Sequence, residues 1–301
     1  MTALIYRLGH VALNVIDLET AVADAQAIAG ARLCRMEGDR AILTANRRHA
    51  ELVLHRAAAN EVRAIGLEAT SAAAVDEVAA RARKRGLRIL SQTPSLPAIA
   101  RSVTFASSEG HVFEVHTAMP EDQPKRYAGA GIHPNCLDHV NLCSPDPRAM
   151  AEELGEVMGL ILSERTTGYE LNWMRAGDGR HHTVGLVLGR PGLHHYSWEF
   201  ADFCDYKRLG DVLDACDRGI VWGPGRHGAG DNIFAYYLDS AGFMVECTSE
   251  MEVIGDDRPT QVTDVGVNLS NPKVVNRWGA LPPRLWIDHH TAFAVPEAVP
   301  A

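Results

Sequence analysis

LGHVALNVIDLETAVADA at residues 8–25 and LDHVNLCSPDPRAMAEEL at residues 137–154 are built to one plan. Each is an apolar strand with a central histidine, His10 or His139, followed by an Asp-containing loop and a segment of helical period. Further matches follow in the same order. AIGLEATS (64–71) corresponds to HYSWEFAD (195–202), and FASSEGHVFEVHTAM (105–119) to YLDSAGFMVECTSEM (237–251). His10 lies 104 residues before Glu114 and His139 lies 107 before Glu246, with a glycine four residues ahead of each glutamate. Ordered matches at matched spacing mean a duplicated module.

The predicted fold class is therefore α+β, with two tandem modules in which strand, helix and further strands occur twice over. An N-terminal module is expected over 1–118, a Pro/Gly-rich linker over 119–135, a C-terminal module over 136–250, and a strap with a disordered end over 251–301. In the second module the pattern predicts strands at 137–143, 160–165, 169–175, 182–188, 193–200, 219–222, 232–238 and 243–248. Helices are predicted at 147–158 and 204–216.

Composition narrows the function. The formal charge of −9 and pI near 5.8 argue against a nucleic-acid binder, which needs a basic face. No apolar run approaches the roughly 18 residues that span a bilayer. The N-terminus shows no signal-peptide pattern, and the six cysteines form no CxxC pair, so a cytoplasmic protein with reduced thiols is expected. Seven of the 14 histidines fall between 133 and 227, a concentration that needs a reason.

His139, His195 and Glu246, all on predicted strands, make a 2-His-1-carboxylate set. Such a set holds an octahedral metal on one face and leaves positions open for substrate and oxygen. The first module has His10, Ala64 and Glu114 at the aligned positions. One ligand is missing there, so His10 and Glu114 read as relics or hydrogen-bonded core residues.

LDHVNL, HHTVGL, LHHYSWEF and GRHGAGDNIFAYYLDSAGFMVE, in this order, resemble the type I extradiol ring-cleavage dioxygenases of the vicinal oxygen chelate superfamily. The catechol and 2,3-dihydroxybiphenyl dioxygenases belong to that family. The likeness covers roughly residues 5–250 and implies four βαβββ units forming two open, barrel-like mixed sheets with helices outside. It implies one non-haem Fe(II), alternatively Mn(II), held by His139, His195 and Glu246, with O2 as co-substrate and a small aromatic diol as substrate. His182 would be the acid–base histidine, and His227 and Tyr236 would contact the diol. The spacings from His227 to Tyr236 and from Tyr236 to Glu246, nine and ten residues, match the family without a gap. One departure is DSAG at 239–242, where many relatives have DPSG. Homo-oligomers are common in the family and expected here, as is a place in aromatic hydrocarbon catabolism.

The resemblance selects His195 over its neighbour His194, since adjacent strand residues point to opposite faces. His194 and His181 are expected to be structural, solvated or bonded to backbone. His182 is expected to titrate near neutral pH. Trp173, Met174, Trp198 and Phe234 are candidates for an apolar ring pocket, although strand hydrophobics are core residues by default. Hairpin register decides whether Tyr236 shares a face with Glu246: a three-residue loop at 239–241 joins them, a four-residue loop separates them. Two rival readings share the fold, a glyoxalase-type metal-dependent isomerase or lyase and a non-catalytic small-molecule binder. The first typically draws ligands from two half-sites, and the second leaves the complete triad unexplained.

Overall fold

Runs of Val, Ile, Leu and aromatic residues broken by Gly, Pro and Asp set up short strands around two helices in each half. The computed structural model describes residues 3–124, 131–255 and 257–295. The first half runs β1 (Ile5–Val15), α1 (Leu18–Asp24), β2 (Arg32–Glu37), β3 (Arg40–Thr44) and β4 (Leu52–Arg56). It continues through β5 (Glu61–Ala69), α2 (Ala72–Lys84), β6 (Arg88–Ser91), β7 (Ser102–Ala106) and β8 (Val112–His116). The second half repeats the order with β9 (Cys136–Ser144), α3 (Pro147–Met158), β10 (Ile161–Thr167), β11 (Leu171–Arg175) and β12 (Val184–Leu188). Then come β13 (Gly192–Glu199), α4 (Cys204–Ala215), β14 (Trp222–Arg226), β15 (Ile233–Leu238) and β16 (Met244–Ser249). Two short elements follow, β17 (Gln261–Asp264) and α5 (Arg284–Ile287).

Each half makes one mixed sheet. The orders are β2-β3-β4-β1-β5-β8-β7-β6 and β14-β15-β16-β13-β9-β12-β11-β10-β17. In both, the first and fourth strands of each βαβββ unit pair in parallel, and the two units meet through one antiparallel pair, β1 with β5 or β9 with β13. This is the vicinal oxygen chelate architecture. Buried apolar residues of both halves form one continuous core, from Ile5 and Leu67 through Phe113 to Leu142 and Val245. No helix among the described residues is long and apolar enough to cross a membrane.

Local chemistry explains the element ends. Asp146 accepts a hydrogen bond from Ala149 N–H at 3.0 Å and Pro147 opens α3, satisfying the first turn. Two strand expectations need correction. The segment predicted at 219–222 forms at Trp222–Arg226 instead, and β12 begins at Val184 and leaves His182 in the connection before it. Apolar content marks a strand, but its ends are set by where ladder partners run out.

The segment after β16 runs back against both sheets. β17 adds beside β10 in parallel, Thr291 exchanges two backbone bonds of 2.8 Å with Leu193, and Phe293 bridges Val62 in the other sheet. The linker residues 125–130 and the C-terminal residues 296–301, expected to be disordered, lie outside the described residues.

Candidate metal centre

Three buried side chains rise from the centre of the second sheet. His139 lies on β9, His195 on β13 and Glu246 on β16, strands that are neighbours in the order above. Their candidate ligand atoms lie within 4.8 Å of one another, the one such group of His, Cys, Asp or Glu among the described residues. Glu246 Oε2 stands 2.9 Å from His139 Nε2 and 3.0 Å from His195 Nε2. The outward nitrogens are engaged. His139 Nδ1 faces Asp138 Oδ1 at 3.4 Å, and His195 Nδ1 lies 2.7 Å from His194 Nδ1. Asp138 is itself held by Arg180 Nη1 at 2.7 Å. A metal-binding histidine is oriented in this way, with its far nitrogen donating to a fixed acceptor.

Charge follows from the packing. Burial penalises a charged His139, yet the Glu246 and Asp138 carboxylates outweigh it and raise its pKa to about 9. Burial also works against an ionised Glu246, but the two imidazoles hold its pKa well below the usual carboxylate range. Burial depresses His195, with Glu246 opposing. His195 Nε2 is buried with no hydrogen-bond partner of good geometry among the described residues. Two inward-facing imidazole nitrogens around a buried carboxylate oxygen, one of them unsatisfied, fit a divalent cation of the Fe(II) or Mn(II) type. Such a cation would replace the proton on His139 and satisfy His195.

The triad lies in the wall of a cavity of about 370 Å³. Its apolar side comes from Leu171, Trp173, Val187, Val274, Trp286 and Ile287, so strap residues cover it. His182, His227 and Tyr236 line it too. The His182 ring packs 4.3 Å from that of His139, and Tyr236 lies edge-on to His195 at 5.2 Å. His227 Nε2 is 3.0 Å from Tyr236 Oη and 3.8 Å from Glu246 Oε1. Burial lowers the His182 pKa well below its ordinary value and that of His227 to about 4. Burial and the Glu246 carboxylate push the Tyr236 phenol well above 10. Burial thus works against the near-neutral titration expected for His182.

The register question is resolved by pairing. Tyr236 and Glu246 are cross-strand partners, and Leu238 pairs with Met244, leaving a five-residue connection. That has the parity of the three-residue case, so both side chains face the cavity.

Several neighbours differ from expectation. A register shift between Leu193 and His195 breaks strict alternation and His194 lines the cavity beside His195, while its Nε2, 2.8 Å from Trp286 O, makes the backbone bond expected of it. Of the four candidate pocket residues only Trp173 lines the cavity. Met174 and Trp198 belong to the core, and Phe234 stacks beneath His227 at 3.9 Å. Asn232, whose Nδ2 reaches Glu246 Oε1 at 3.3 Å, and the strap residue Trp286 were not among the candidate site residues. Aromatic and apolar residues in the otherwise aperiodic LPPRLWIDHH were the available signal for the strap.

The first sheet shows why one site suffices. Gly66 pairs with Glu114 as Ser197 pairs with Glu246, which places Ala64 where the other half has His195. His10 Nε2 stands 3.4 Å from Glu114 Oε2, but Ser95 donates its backbone N–H to Glu114 Oε1 at 2.9 Å and its hydroxyl to Oε2. Leu96 and Ile99, beyond Ser95, pack with Ala12, Ile42 and Ala64 into a small apolar cluster. Glu114 is a hydrogen-bonded core residue.

Comparison with known proteins agrees with this geometry. The chain is 30% identical over 262 residues to the 2,2',3-trihydroxybiphenyl dioxygenase of Sphingomonas paucimobilis, covering 79% of this chain and 86% of that protein. It is 26% identical over 279 residues to the manganese-dependent 2,3-dihydroxybiphenyl 1,2-dioxygenase of Geobacillus genomosp. 3, covering 85% and 89%. A variant of homoprotocatechuate 2,3-dioxygenase from B. fuscum shares the fold at a TM-score of 0.89, with 20% identity over 97% of this chain and 84% of that one. The Mn(II)-bound glyoxalase from Novosphingobium aromaticivorans superposes at 0.87, with 25% identity over 97% and 96%. No family model matches the chain. The chain belongs to the extradiol ring-cleavage dioxygenases of the vicinal oxygen chelate fold, enzymes that open catechol-type rings using Fe(II) or Mn(II) and O2.

Proposed function

We propose that His139, His195 and Glu246 hold Fe(II) or Mn(II), and that the cavity beside them binds an aromatic vicinal diol for ring cleavage next to its hydroxyls. The observation that carries this reading is the meeting of three ligand side chains, a neutral histidine and a hydrogen-bonded His–Tyr pair in one largely apolar cavity. A bound metal of this kind supplies adjacent open positions at which diol and O2 meet and exchange electrons.

The protein's own groups do the rest. Leu171, Trp173 and Val187 receive the ring and, with Trp286 of the strap, keep bulk water out. In the His227–Tyr236 pair, His227 Nδ1–H donates to Val275 O and its Nε2 accepts the Tyr236 hydroxyl proton, so the phenol oxygen is presented as acceptor to a diol hydroxyl. His182, neutral and beside His139, takes a proton from the diol and returns it later in the cycle.

The Mn(II)-bound glyoxalase among the structural neighbours keeps an isomerase in view. All three ligands here come from one sheet, and His182, His227 and Tyr236 have no duty in that chemistry. Oxygen separates the two. Protein loaded anaerobically with Fe(II) or Mn(II), given catechol, 3-substituted catechols and bicyclic diols and then air, should consume O2 and form a yellow ring-opened product. Metal-loaded protein that takes up no O2 with any of these diols overturns the proposal. Self-association is part of the same reading and is supported by exposed Val262, Leu281 and Leu285 on the strap; light scattering measures it. The six free thiols fit a reducing, cytoplasmic setting.

A further inference from the structure

His181 is buried, lies outside the cavity lining and has no duty in the site described above. Its ring nevertheless touches two chemically informative partners. Its Nδ1 is 3.1 Å from His182 Nδ1, and its Nε2 is 3.4 Å from Glu164 Oε2. Glu164, on β10, is buried, and its Oε1 accepts a bond of 3.0 Å from the Thr263 hydroxyl on β17.

These contacts fix the hydrogens along the row. The Glu164 carboxyl oxygen facing His181 Nε2 at 3.4 Å favours a proton on that nitrogen. With its proton on Nε2, His181 presents Nδ1 as the acceptor for His182 Nδ1–H across the 3.1 Å contact. The remaining nitrogen of His182, Nε2, is left with its lone pair on a ring that lines the cavity. That is the tautomer a proton acceptor needs.

The surroundings are shaped for this contact. Gly230 adopts φ +74°, and a Cβ there would stand 3.1 Å from His181 Nδ1, so glycine lets the ring lie close beneath the loop that follows His227. The backbone N–H of His181 donates to Glu252 O at 2.8 Å, which anchors the ring from behind.

We infer that Glu164 and His181 are a positioning pair that sets the tautomer and orientation of His182, with Thr263 of the strap holding the carboxylate. This inference rests on the role given to His182 above. It also gives β17 a purpose, because the strand that pairs with β10 carries the hydroxyl that fixes Glu164.

The test uses full-length protein loaded with Fe(II) or Mn(II), with catechol as the probe. His181→Phe keeps a ring and removes the acceptor; His181→Asn returns an acceptor oxygen near the same place. His181→Phe should lower kcat about 10- to 100-fold, the usual cost of losing a group that orients a functional histidine, with KM and metal content unchanged. His181→Asn should recover most of that loss. NMR of isotope-labelled histidine in the metal-free protein should show His182 as the Nδ1–H tautomer in the wild type and a mixture in His181→Phe. Glu164→Leu, which removes the acceptor, should give the same mixture, which covers the case of a poorly folding His181→Phe. Wild-type kcat in His181→Phe, an unchanged His182 tautomer in these variants, or no recovery in His181→Asn overturns the inference. His182→Phe separates the two levels: normal turnover in that variant defeats the assignment of His182 itself, whereas a defect there with normal His181→Phe defeats only the positioning pair.

Discussion

Tyr236 and Glu246 are direct cross-strand partners in the β15–β16 hairpin, so a phenol and a carboxylate rise side by side into one cavity. The His227–Tyr236 bond of 3.0 Å extends that pair to a third group. Tyr236→Phe should keep the ring against Trp222 and leave the metal in place. Loss of an ordinary hydrogen bond at the phenol oxygen costs about 0.5–1.5 kcal/mol, so kcat/KM should fall roughly 2- to 10-fold, read from steady-state O2 uptake.

Removing a ligand should act on the metal itself. His195→Ala leaves His139 and Glu246 without a third partner, and bound iron or manganese measured after gel filtration should drop to background. His182→Phe should retain a full equivalent of metal while kcat falls about 100-fold or more. Metal retention in His195→Ala would remove that residue from the ligand set.

Metal uptake should depend on pH with a definite sign. The metal-free protein keeps a proton on His139, whose pKa stands at about 9, and a metal ligand must be deprotonated. Apparent affinity for Mn(II), followed by titration calorimetry, should rise about tenfold per pH unit below that value and level off above it. The same proton stabilises the metal-free fold. Because the folded pKa lies above the unfolded value, that contribution is complete below the unfolded value and is lost as pH climbs towards about 9.

The first sheet should resist conversion into a second centre. Ala64→His completes the ligand types beside His10 and Glu114, but Ser95 occupies Glu114 and Leu96 and Ile99 fill the adjoining space. One equivalent of metal per chain is expected, with a stability loss of about 1–3 kcal/mol from overpacking. A second equivalent would show that the missing histidine alone had silenced that module.

Asp239, at the turn of the β15–β16 hairpin, offers a separate pH test. Burial and the neighbouring Asp24 raise its pKa to about 7, against hydrogen bonds from Phe243 and Ala241 that favour the charge. The folded protein thus holds a proton that the unfolded chain gives up at lower pH, and stability falls as pH rises towards about 7. Asp239→Asn keeps an acceptor for both turn N–H groups and removes the charge. Its melting temperature should vary less over that range than the wild type's.

Much of this was legible in the residues. The duplicated strand–helix pattern and the equal spacings placed two modules end to end, because burial of one face imposes the same periodicity on each copy. The meeting of His139, His195 and Glu246 had a counterpart in the same alignment, where Ala64 stands opposite His195. Strand limits were less legible. β12 starts after His182 because pairing with β9 and β11 begins only at Val184.

The sequence by itself determined the tandem architecture and the inequality of the two halves, since these follow from pattern and spacing along the chain. Only the tertiary structure decided which faces meet. The bulge at Leu193–His195 turns His194 inward against strict alternation, the five-residue connection puts Tyr236 opposite Glu246, and the strap brings Trp286 over the cavity. Each depends on hydrogen-bond register between segments far apart in sequence, and periodicity along one strand carries no record of its partner's register.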